Sequence, residues 1–139
     1  MRIAIMSTQP PRECGIGLYA SRLINALRKK GHEVRVLSFK GYDYKDKYIV
    51  PIISNHNPFS YLKAANYLKR NGFDKLIVEY EYVFYNLLCF PFFLLLARLY
   101  NIKVALEFHT VVPYEDILKK GIFTLYHSAL LLFTDHVIM

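Results

Sequence analysis

The sequence predicts one α/β domain with a Rossmann-like, doubly wound and mostly parallel sheet. Short apolar segments of strand length alternate with longer segments whose apolar residues recur at helical spacing. Glycines and other turn residues separate these segments. A strand followed by a helix and then by another strand is the pattern of βαβ units, which build parallel sheets. The length of 139 residues and the hydrophobic content of 54% suit a single domain with a buried core.

The first half of the chain predicts three strands and two helices. In order, these are the strand 2–6, the helix 16–30, the strands 33–39 and 48–53, and the helix 59–70. Gly31 is a suitable end for the first helix, because glycine adopts the conformation that closes many helices. Pro51 lacks a backbone N–H, so the third strand is predicted to be an edge strand or a broken one.

The second half of the chain continues the alternation. It predicts the strand 73–79, the helix 82–100, the strand 102–108, the helix 114–133 and the strand 135–139. No charged residue occurs between Tyr82 and Ala97, which is also a property of membrane spans. The segment is shorter than the roughly 20 residues that a spanning helix needs, and Asn86 and Pro91 interrupt it. A helix packed on the sheet is therefore preferred, with contact to a membrane surface as the alternative.

The chain is basic, with 18 Lys and Arg against 11 Asp and Glu and a formal net charge of +7. The excess of positive charge lies in residues 1–70. A basic half of this kind can bind nucleic acid, an anionic membrane surface or phosphorylated substrates. Nucleic acid is disfavoured because basic and aromatic residues are not interleaved on any segment. Two cysteines make no disulfide framework, and the first apolar run is too short for a secretory signal. A cytoplasmic protein is expected.

A glycine loop precedes the first predicted helix. Gly15, Gly17 and Ala20 fit the pattern G-x-G-x-x-A of dinucleotide-binding domains. In that pattern the first glycine follows the strand almost directly, whereas here residues 7–14 intervene. The second strand also lacks the terminal acid that holds a ribose, although Lys40 would suit a ribose 2′-phosphate. The loop is therefore expected to project over the carboxyl edge of the sheet and to bring backbone N–H groups to an anion.

Several motifs together resemble the N-terminal domain of family-4 glycosyltransferases, which have the GT-B fold. They are PPRECGIG at 10–17, LINAL at 23–27, GHEV at 31–34, VEYEY at 78–82, LEFHTVVP at 106–113 and TDHVI at 134–138. The resemblance covers nearly the whole chain. It implies an acceptor-binding, Rossmann-like half of a retaining enzyme that moves a sugar from a nucleotide-sugar to an alcohol or lipid-linked acceptor.

The resemblance also implies what each part of the chain contributes. The expected donor- or substrate-binding residues are Arg12, Gly15, Ile16, Gly17 and Thr110, and His109 is expected near the transferred sugar. No bound cofactor or metal ion is expected, and the nucleotide-sugar is a substrate. Residue 139 falls inside the sixth strand, so the C-terminal donor-binding domain is expected to be absent. We therefore expect enzymatic activity only when that half is joined to this one.

Polar residues collect where the predicted strands end. Glu79 and Glu107 interrupt apolar strands, and a buried carboxylate needs a partner. If their strands are neighbours, the two acids lie close together and one pKa rises. Arg12 is the expected partner, and Glu79 is expected to anchor the glycine loop. The expected catalytic residues are His109, as a hydrogen-bond donor to the sugar, and Glu81 or Glu107, as a base for the acceptor.

Two other classes of function stay open. The chain could be a standalone, non-enzymatic half-domain that binds a partner chain, because an uncovered sixth strand favours association. It could also be an NADP-binding oxidoreductase, although the long loop and the missing acid disfavour that class. An anionic membrane surface is a further possible partner, with a peripheral location on the inner face of the membrane. The remaining histidines show no metal-ligand spacing.

Overall fold

The computed structural model describes residues 1–109 and 117–139. Its strands are β1 (Arg2–Met6), β2 (Glu33–Phe39), β3 (Ile49–Ile53), β4 (Lys75–Tyr80), β5 (Lys103–Phe108) and β6 (His136–Ile138). Its helices are α1 (Gly15–Lys29), α2 (Phe59–Arg70), α3 (Cys89–Leu99) and α4 (Ile117–Leu132). The start of the last predicted helix, residues 114–116, lies outside the described residues.

The six strands form one parallel sheet with the order β3-β2-β1-β4-β5-β6. From β1 the chain winds first towards β3 and then, after α2, in the opposite direction towards β6. Strand order therefore reverses between β1 and β4, and the crevice at the carboxyl ends of these two strands is where such sheets bind ligands. The predicted fold class is confirmed.

Helices cover both faces of the sheet, as the alternating side chains of β1 show. Ile3 and Ile5 belong to a cluster that includes Ile24 of α1. Ala4 and Met6 lie on the other face, in a larger cluster that extends to the buried residues of α2 and α3. Successive side chains of a strand point to opposite faces, so a strand buried on both faces is apolar at every position.

The third strand lies at the edge of the sheet, as its proline predicted. Pro51 is opposite Ser38 of β2, and the register of the two strands shifts between Ser38 and Phe39. An edge position leaves one side of the strand unpaired, so the missing N–H of proline breaks no ladder on that side.

The third helix begins at Cys89, so the predicted start at residue 82 is wrong. The side chain of Asn86 accepts hydrogen bonds from the backbone N–H groups of Leu88 and Cys89 and thereby provides partners at the start of the helix. Phe84 and Tyr85 are buried in the preceding loop. Among the described residues, no helix is both long and apolar enough to cross a membrane.

The last strand is attached through Asp135. Its carboxylate accepts the backbone N–H of Val104 at 2.8 Å and lies 3.1 Å from the guanidinium of Arg98. The bond from Val104 is the main reason that the pKa of Asp135 lies below its ordinary value. The backbone N–H of Asp135 in turn donates to the carbonyl of Val104 at 2.8 Å. These two bonds set the register in which β6 extends β5.

Candidate functional site

Two glutamates and a histidine meet at the carboxyl edge of the sheet. Glu79 of β4 and Glu107 of β5 are direct partners in the parallel register, so both side chains lie on the same face. With His109, just after β5, they bring ligand-capable atoms within 4.8 Å of one another. The expected proximity of the two acids is confirmed.

Glu79 is the most deeply buried member of this group, with no exposed surface. One carboxylate oxygen, Oε2, lies 2.5 Å from Nε2 of His109, and the other, Oε1, has no hydrogen-bond partner among the described residues. Burial raises the pKa of Glu79, and the nearby charge of Glu107 raises it further, while the bond to His109 opposes both effects. The expectation that one of the two acids has a raised pKa is therefore confirmed.

The backbone holds His109 in place for this contact. Its backbone N–H donates to the carbonyl of Tyr80 at 3.2 Å. This bond extends the hydrogen bonding between β5 and β4 by one residue. The imidazole side chain is 19% exposed, so it is reachable from the crevice while Glu79 is not. His109 is therefore the accessible end of a buried carboxylate–histidine pair.

The predicted partner of the two acids, Arg12, lies elsewhere. Its guanidinium is 4.9 Å from the ring centroid of Phe84 and 5.8 Å from that of Phe39. Cation–π attraction to these aromatic faces takes the place of a carboxylate contact. The prediction that Arg12 bridges Glu79 and Glu107 is wrong, and so is the anchoring of the glycine loop through that bridge.

Tyr19 is a site residue that the sequence analysis missed. Its hydroxyl donates a hydrogen bond to Glu107, and this bond is the first cause of a raised pKa of Tyr19. Its ring also meets the imidazole of His109 edge-on, with centroids 5.7 Å apart. Its ring fits the apolar spacing of α1, and the available sequence signal for a role in the site was its position one helical turn after Gly15.

The glycine loop brings the start of α1 to the same edge. Cys14 is the N-cap residue and has an extended backbone, and Gly15, Ile16 and Gly17 form the first turn of the helix. A Cβ at Gly17 would lie only 3.2 Å from the backbone oxygen of Thr8, whereas a Cβ at Gly15 would meet nothing within 4 Å. Gly17 therefore permits the close packing of α1 on the β1–α1 loop, and Gly15 keeps the helix end open.

The other predicted site residues have separate positions. Glu81 follows β4, and its carboxylate accepts the backbone N–H of Tyr82 at 3.1 Å. In the described part of the chain, the group of clustered ligand atoms does not include Glu81. Thr110 lies outside the described residues.

The three clustered side chains form a donor set that could hold a cation. Two carboxylates and an imidazole are ligands for several divalent metals. Nε2 of His109 and Oε2 of Glu79 are, however, already bonded to each other, and Glu107 accepts from Tyr19. These contacts are those of a hydrogen-bonded group, and the expectation that no metal ion is bound stays a prediction.

The fold and the site together define the class of protein. A parallel sheet of this strand order, with helices on both faces, is a Rossmann-like domain, and its polar side chains gather beside the switch point where such sheets bind ligands. The Glycosyltransferase Family 4 model matches residues 14–139, so the chain belongs to that family. The resemblance read from the sequence motifs is thereby confirmed.

A solved structure shows the same fold. The crystal structure of MurG from Acinetobacter baumannii matches with a TM-score of 0.60 and 17% sequence identity. The match covers 98% of this chain and 40% of that chain, so this chain spans less than half the length of that structure. A comparison with curated proteins finds no match.

We predict that Glu79→Gln stabilises the protein at neutral pH. Because burial raises the pKa of Glu79, the folded state binds a proton more tightly than the unfolded state does. The contribution of Glu79 to stability is therefore present below its ordinary pKa and is lost as the pH rises through the higher pKa of the folded state. Urea unfolding from pH 4 to pH 8 measures this, and the advantage of the variant should disappear at the acidic end.

Glu33→Gln is the control, and we expect it to lower the stability of the protein at neutral pH, the opposite of the effect of Glu79→Gln. The hydrogen bond from Arg2 lowers the pKa of Glu33, so its contribution is present above the ordinary pKa and fades as the pH falls. An advantage of Glu79→Gln that grows towards acidic pH would contradict the assignment of Glu79 as a buried, destabilising charge.

We predict that Gly17→Ala destabilises the fold by about 1–2 kcal/mol, because the added methyl group lies only 3.2 Å from the backbone oxygen of Thr8 and forces that packed backbone to shift. Gly15→Ala is the matched control in the same helical turn, and we expect it to change the free energy of unfolding by less than about 0.5 kcal/mol. Urea denaturation of both variants measures the difference. Equal stabilities would show that α1 does not pack on the β1–α1 loop in this way.

Proposed function

We propose that this domain forms the acceptor-side wall of the active site of a retaining glycosyltransferase. The reaction would transfer a sugar from a nucleotide-sugar to the hydroxyl of an alcohol or of a lipid-linked acceptor. The observation that carries this proposal is the group of Glu79, Glu107 and His109 at the carboxyl edge of the sheet in a chain of glycosyltransferase family 4. The nucleotide-sugar is a substrate in this proposal, and no resident cofactor takes part.

His109 is the residue proposed to contact the sugar. Nε2 of its ring is bonded to the buried carboxylate of Glu79, which leaves Nδ1 as the ring nitrogen available to a sugar hydroxyl. A carboxylate that holds one ring nitrogen orients the imidazole, and in the protonated ring Nδ1 also carries a hydrogen to donate. Such a preorganised donor can stabilise negative charge that develops on a substrate oxygen in the transition state.

Glu107 is the proposed base for the acceptor hydroxyl. It lies beside His109 and is only half-buried, so a substrate can reach it more easily than it can reach Glu79. The hydroxyl of Tyr19 fixes its carboxylate and leaves further lone pairs for a substrate proton. Glu81 stays the alternative base, because it lies in the loop that follows β4.

The open helix end at Gly15 and Ile16 is the proposed contact for the donor diphosphate. Backbone N–H groups at a helix N-terminus favour anions, and no side chain at Gly15 obstructs their approach. Arg12 in the adjoining loop adds a cation to this region. We propose that these groups offset the charge of the leaving diphosphate without a bound metal ion.

A second candidate function is association with a partner through an uncovered surface. All three residues of β6 are exposed, and α4 carries the exposed apolar side chains of Leu118, Ile122, Leu125 and Leu132. Exposed strands and contiguous apolar stripes favour association with other surfaces. No comparable observation favours an NADP-dependent oxidoreductase, since the family match is to glycosyltransferases.

The same apolar stripe supports a proposed peripheral location on an anionic, cytoplasmic membrane face. Lys119 and Lys120 lie beside it at the start of α4 and are exposed. A helix with an apolar stripe and neighbouring cations suits the interface of a membrane that contains anionic lipids. A lipid-linked acceptor would be reached from there.

We predict that His109→Ala lowers kcat/KM for sugar transfer by about 100-fold or more, because it removes a hydrogen-bond donor from the reacting centre. The measurement is release of the nucleoside diphosphate from a panel of nucleotide-sugars by the full-length protein with simple sugar and lipid-linked acceptors. His136→Ala, at the amino end of β6 and so at the opposite edge of the sheet, is the control and should leave the rate within about twofold.

The same assay tests the other parts of the proposal. Activity should persist in EDTA, and loss of activity on chelation would contradict the metal-free mechanism. A full rate in His109→Ala would remove this histidine from the reaction. Failure of the full-length protein to consume any nucleotide-sugar would contradict the proposed function itself.

We predict that the protein sediments with vesicles containing phosphatidylglycerol at low salt and that Leu125→Asp reduces the bound fraction at least about threefold, because it places a charge in the apolar stripe. Phe59→Asp is the control, since Phe59 is also an exposed apolar residue but lies on α2. No sedimentation of the unmodified protein at low salt would rule out the membrane proposal, and equal effects of both variants would rule out α4 as the contact.

A further inference from the structure

A cavity lies on the other side of α1 from the group of Glu79, Glu107 and His109. Its volume is about 390 Å³, and it is bounded by the β1–α1 loop, by α1 and by the β2–β3 loop. Tyr19 of α1 contacts His109, whereas Ser21, which lines the cavity, follows two residues later. Two residues correspond to roughly 200° around an α-helix, so the two side chains leave α1 in nearly opposite directions.

A buried amide with an unsatisfied end lines this cavity. Gln9 is 4% exposed, its Oε1 accepts the hydroxyl of Ser21 at 3.0 Å, and its Nε2 has no partner among the described residues. The same hydroxyl lies 2.8 Å from the carbonyl oxygen of Gly17, so its single proton is shared between two acceptors or given to one of them. Whichever way the amide is turned, only one of its two ends can bond to Ser21. A buried polar group without a partner costs free energy, so a bound ligand that supplies the partner is favoured.

The rest of the cavity offers both polar and apolar contacts. Asp43 and Lys45 are exposed on the β2–β3 loop and form no ion pair or side-chain hydrogen bond with any described residue. Asp46 is already engaged, because it lies 3.3 Å from Arg28 and accepts the backbone N–H of Tyr48 at 2.8 Å. The rings of Pro10 and Pro11 and the side chain of Ile49 supply the apolar part of the lining.

We propose that this cavity binds a neutral ligand rich in hydroxyl groups, that is, a sugar or a polyol. A hydroxyl both donates and accepts, so it can satisfy the free end of the Gln9 amide in either orientation. Asp43 accepts from a hydroxyl and Lys45 donates to one, while the C–H faces of a sugar ring pack on the prolines. The volume lies within the range of small-molecule sites.

Other ligand classes fit the lining less well. The charges at the cavity balance, Asp43 against Lys45 and Asp46 against Arg28, so there is no net positive charge to hold a phosphorylated ligand. A wholly apolar ligand would leave the amide of Gln9 without a partner and would also bury the charges of Asp43 and Lys45. The binding itself does not depend on the transfer reaction. If the proposed function holds, the cavity would take a sugar unit of the substrate remote from the reacting one.

Ligand-observed saturation-transfer NMR on the full-length protein tests this proposal. The probes are methyl α-glucoside, N-acetylglucosamine and myo-inositol, with glucose 6-phosphate as the anionic comparison. Asp43→Ala removes an exposed lining residue, and Gln9→Met removes the amide at similar volume. Lys47→Ala is the matched control, because it lies on the same loop but does not line the cavity. His109→Ala reports on the candidate active site.

We expect at least one neutral probe to bind with a millimolar Kd and more tightly than glucose 6-phosphate. Asp43→Ala and Gln9→Met should each weaken binding at least about fivefold, the loss of roughly one hydrogen bond. Lys47→Ala and His109→Ala should leave the Kd unchanged. Should Gln9→Met fail to fold, Asp43→Ala on its exposed loop decides the question.

Three results would overturn the proposal. The first is that no neutral probe gives a saturable signal. The second is a signal that survives both Asp43→Ala and Gln9→Met with an unchanged Kd. The third is a signal that His109→Ala abolishes while Asp43→Ala retains it, which would place the sugar at the candidate active site. The proposed transfer reaction is tested separately, because its assay measures release of the nucleoside diphosphate.

Discussion

The burial of a single carboxylate, that of Glu79, is the constraint on which the rest of the site depends. It stands near the end of a strand whose other residues build the core, beside the strand-order reversal between β1 and β4. A charge in that position needs a partner or a proton. His109 supplies the partner at 2.5 Å, and its own position depends on the hydrogen bond from its backbone to Tyr80. The accessible imidazole is thus held by a group that solvent does not reach.

Much of the fold could be predicted from the sequence, because strand and helix periodicity is a local property. The bounds of β1, β2 and α2 agree with their predicted ranges. The start of α3 was wrong because the residues before it are apolar without being helical. Phe84 and Tyr85 fill the core from a loop, and the side chain of Asn86 bonds to the backbone where the helix begins. A continuous run of apolar residues does not distinguish a buried loop from a buried helix.

The candidate site could be predicted only where sheet geometry decides the positions. Glu79 and Glu107 were expected to lie close together if their strands were neighbours, because equivalent positions at the ends of adjacent parallel strands meet. The position of Arg12 depends on the path of an irregular loop, and aromatic rings in two other segments hold it there. Tyr19 was not predicted as a site residue, because its ring fits the apolar spacing of α1 and its hydroxyl, which bonds to Glu107, does not change that spacing.

The position of α1 links both regions of the crevice. Tyr19 leaves this helix towards Glu107 and His109, while Ser21 leaves it towards Gln9. Gly17 lies in the same helix, two residues before Tyr19, and an added methyl group there would lie only 3.2 Å from the backbone oxygen of Thr8. Because a helix moves as a rigid unit, a shift of α1 at this contact would displace both side chains together. The close packing at Gly17 therefore affects both where Tyr19 meets Glu107 and His109 and where Ser21 meets Gln9 in the cavity.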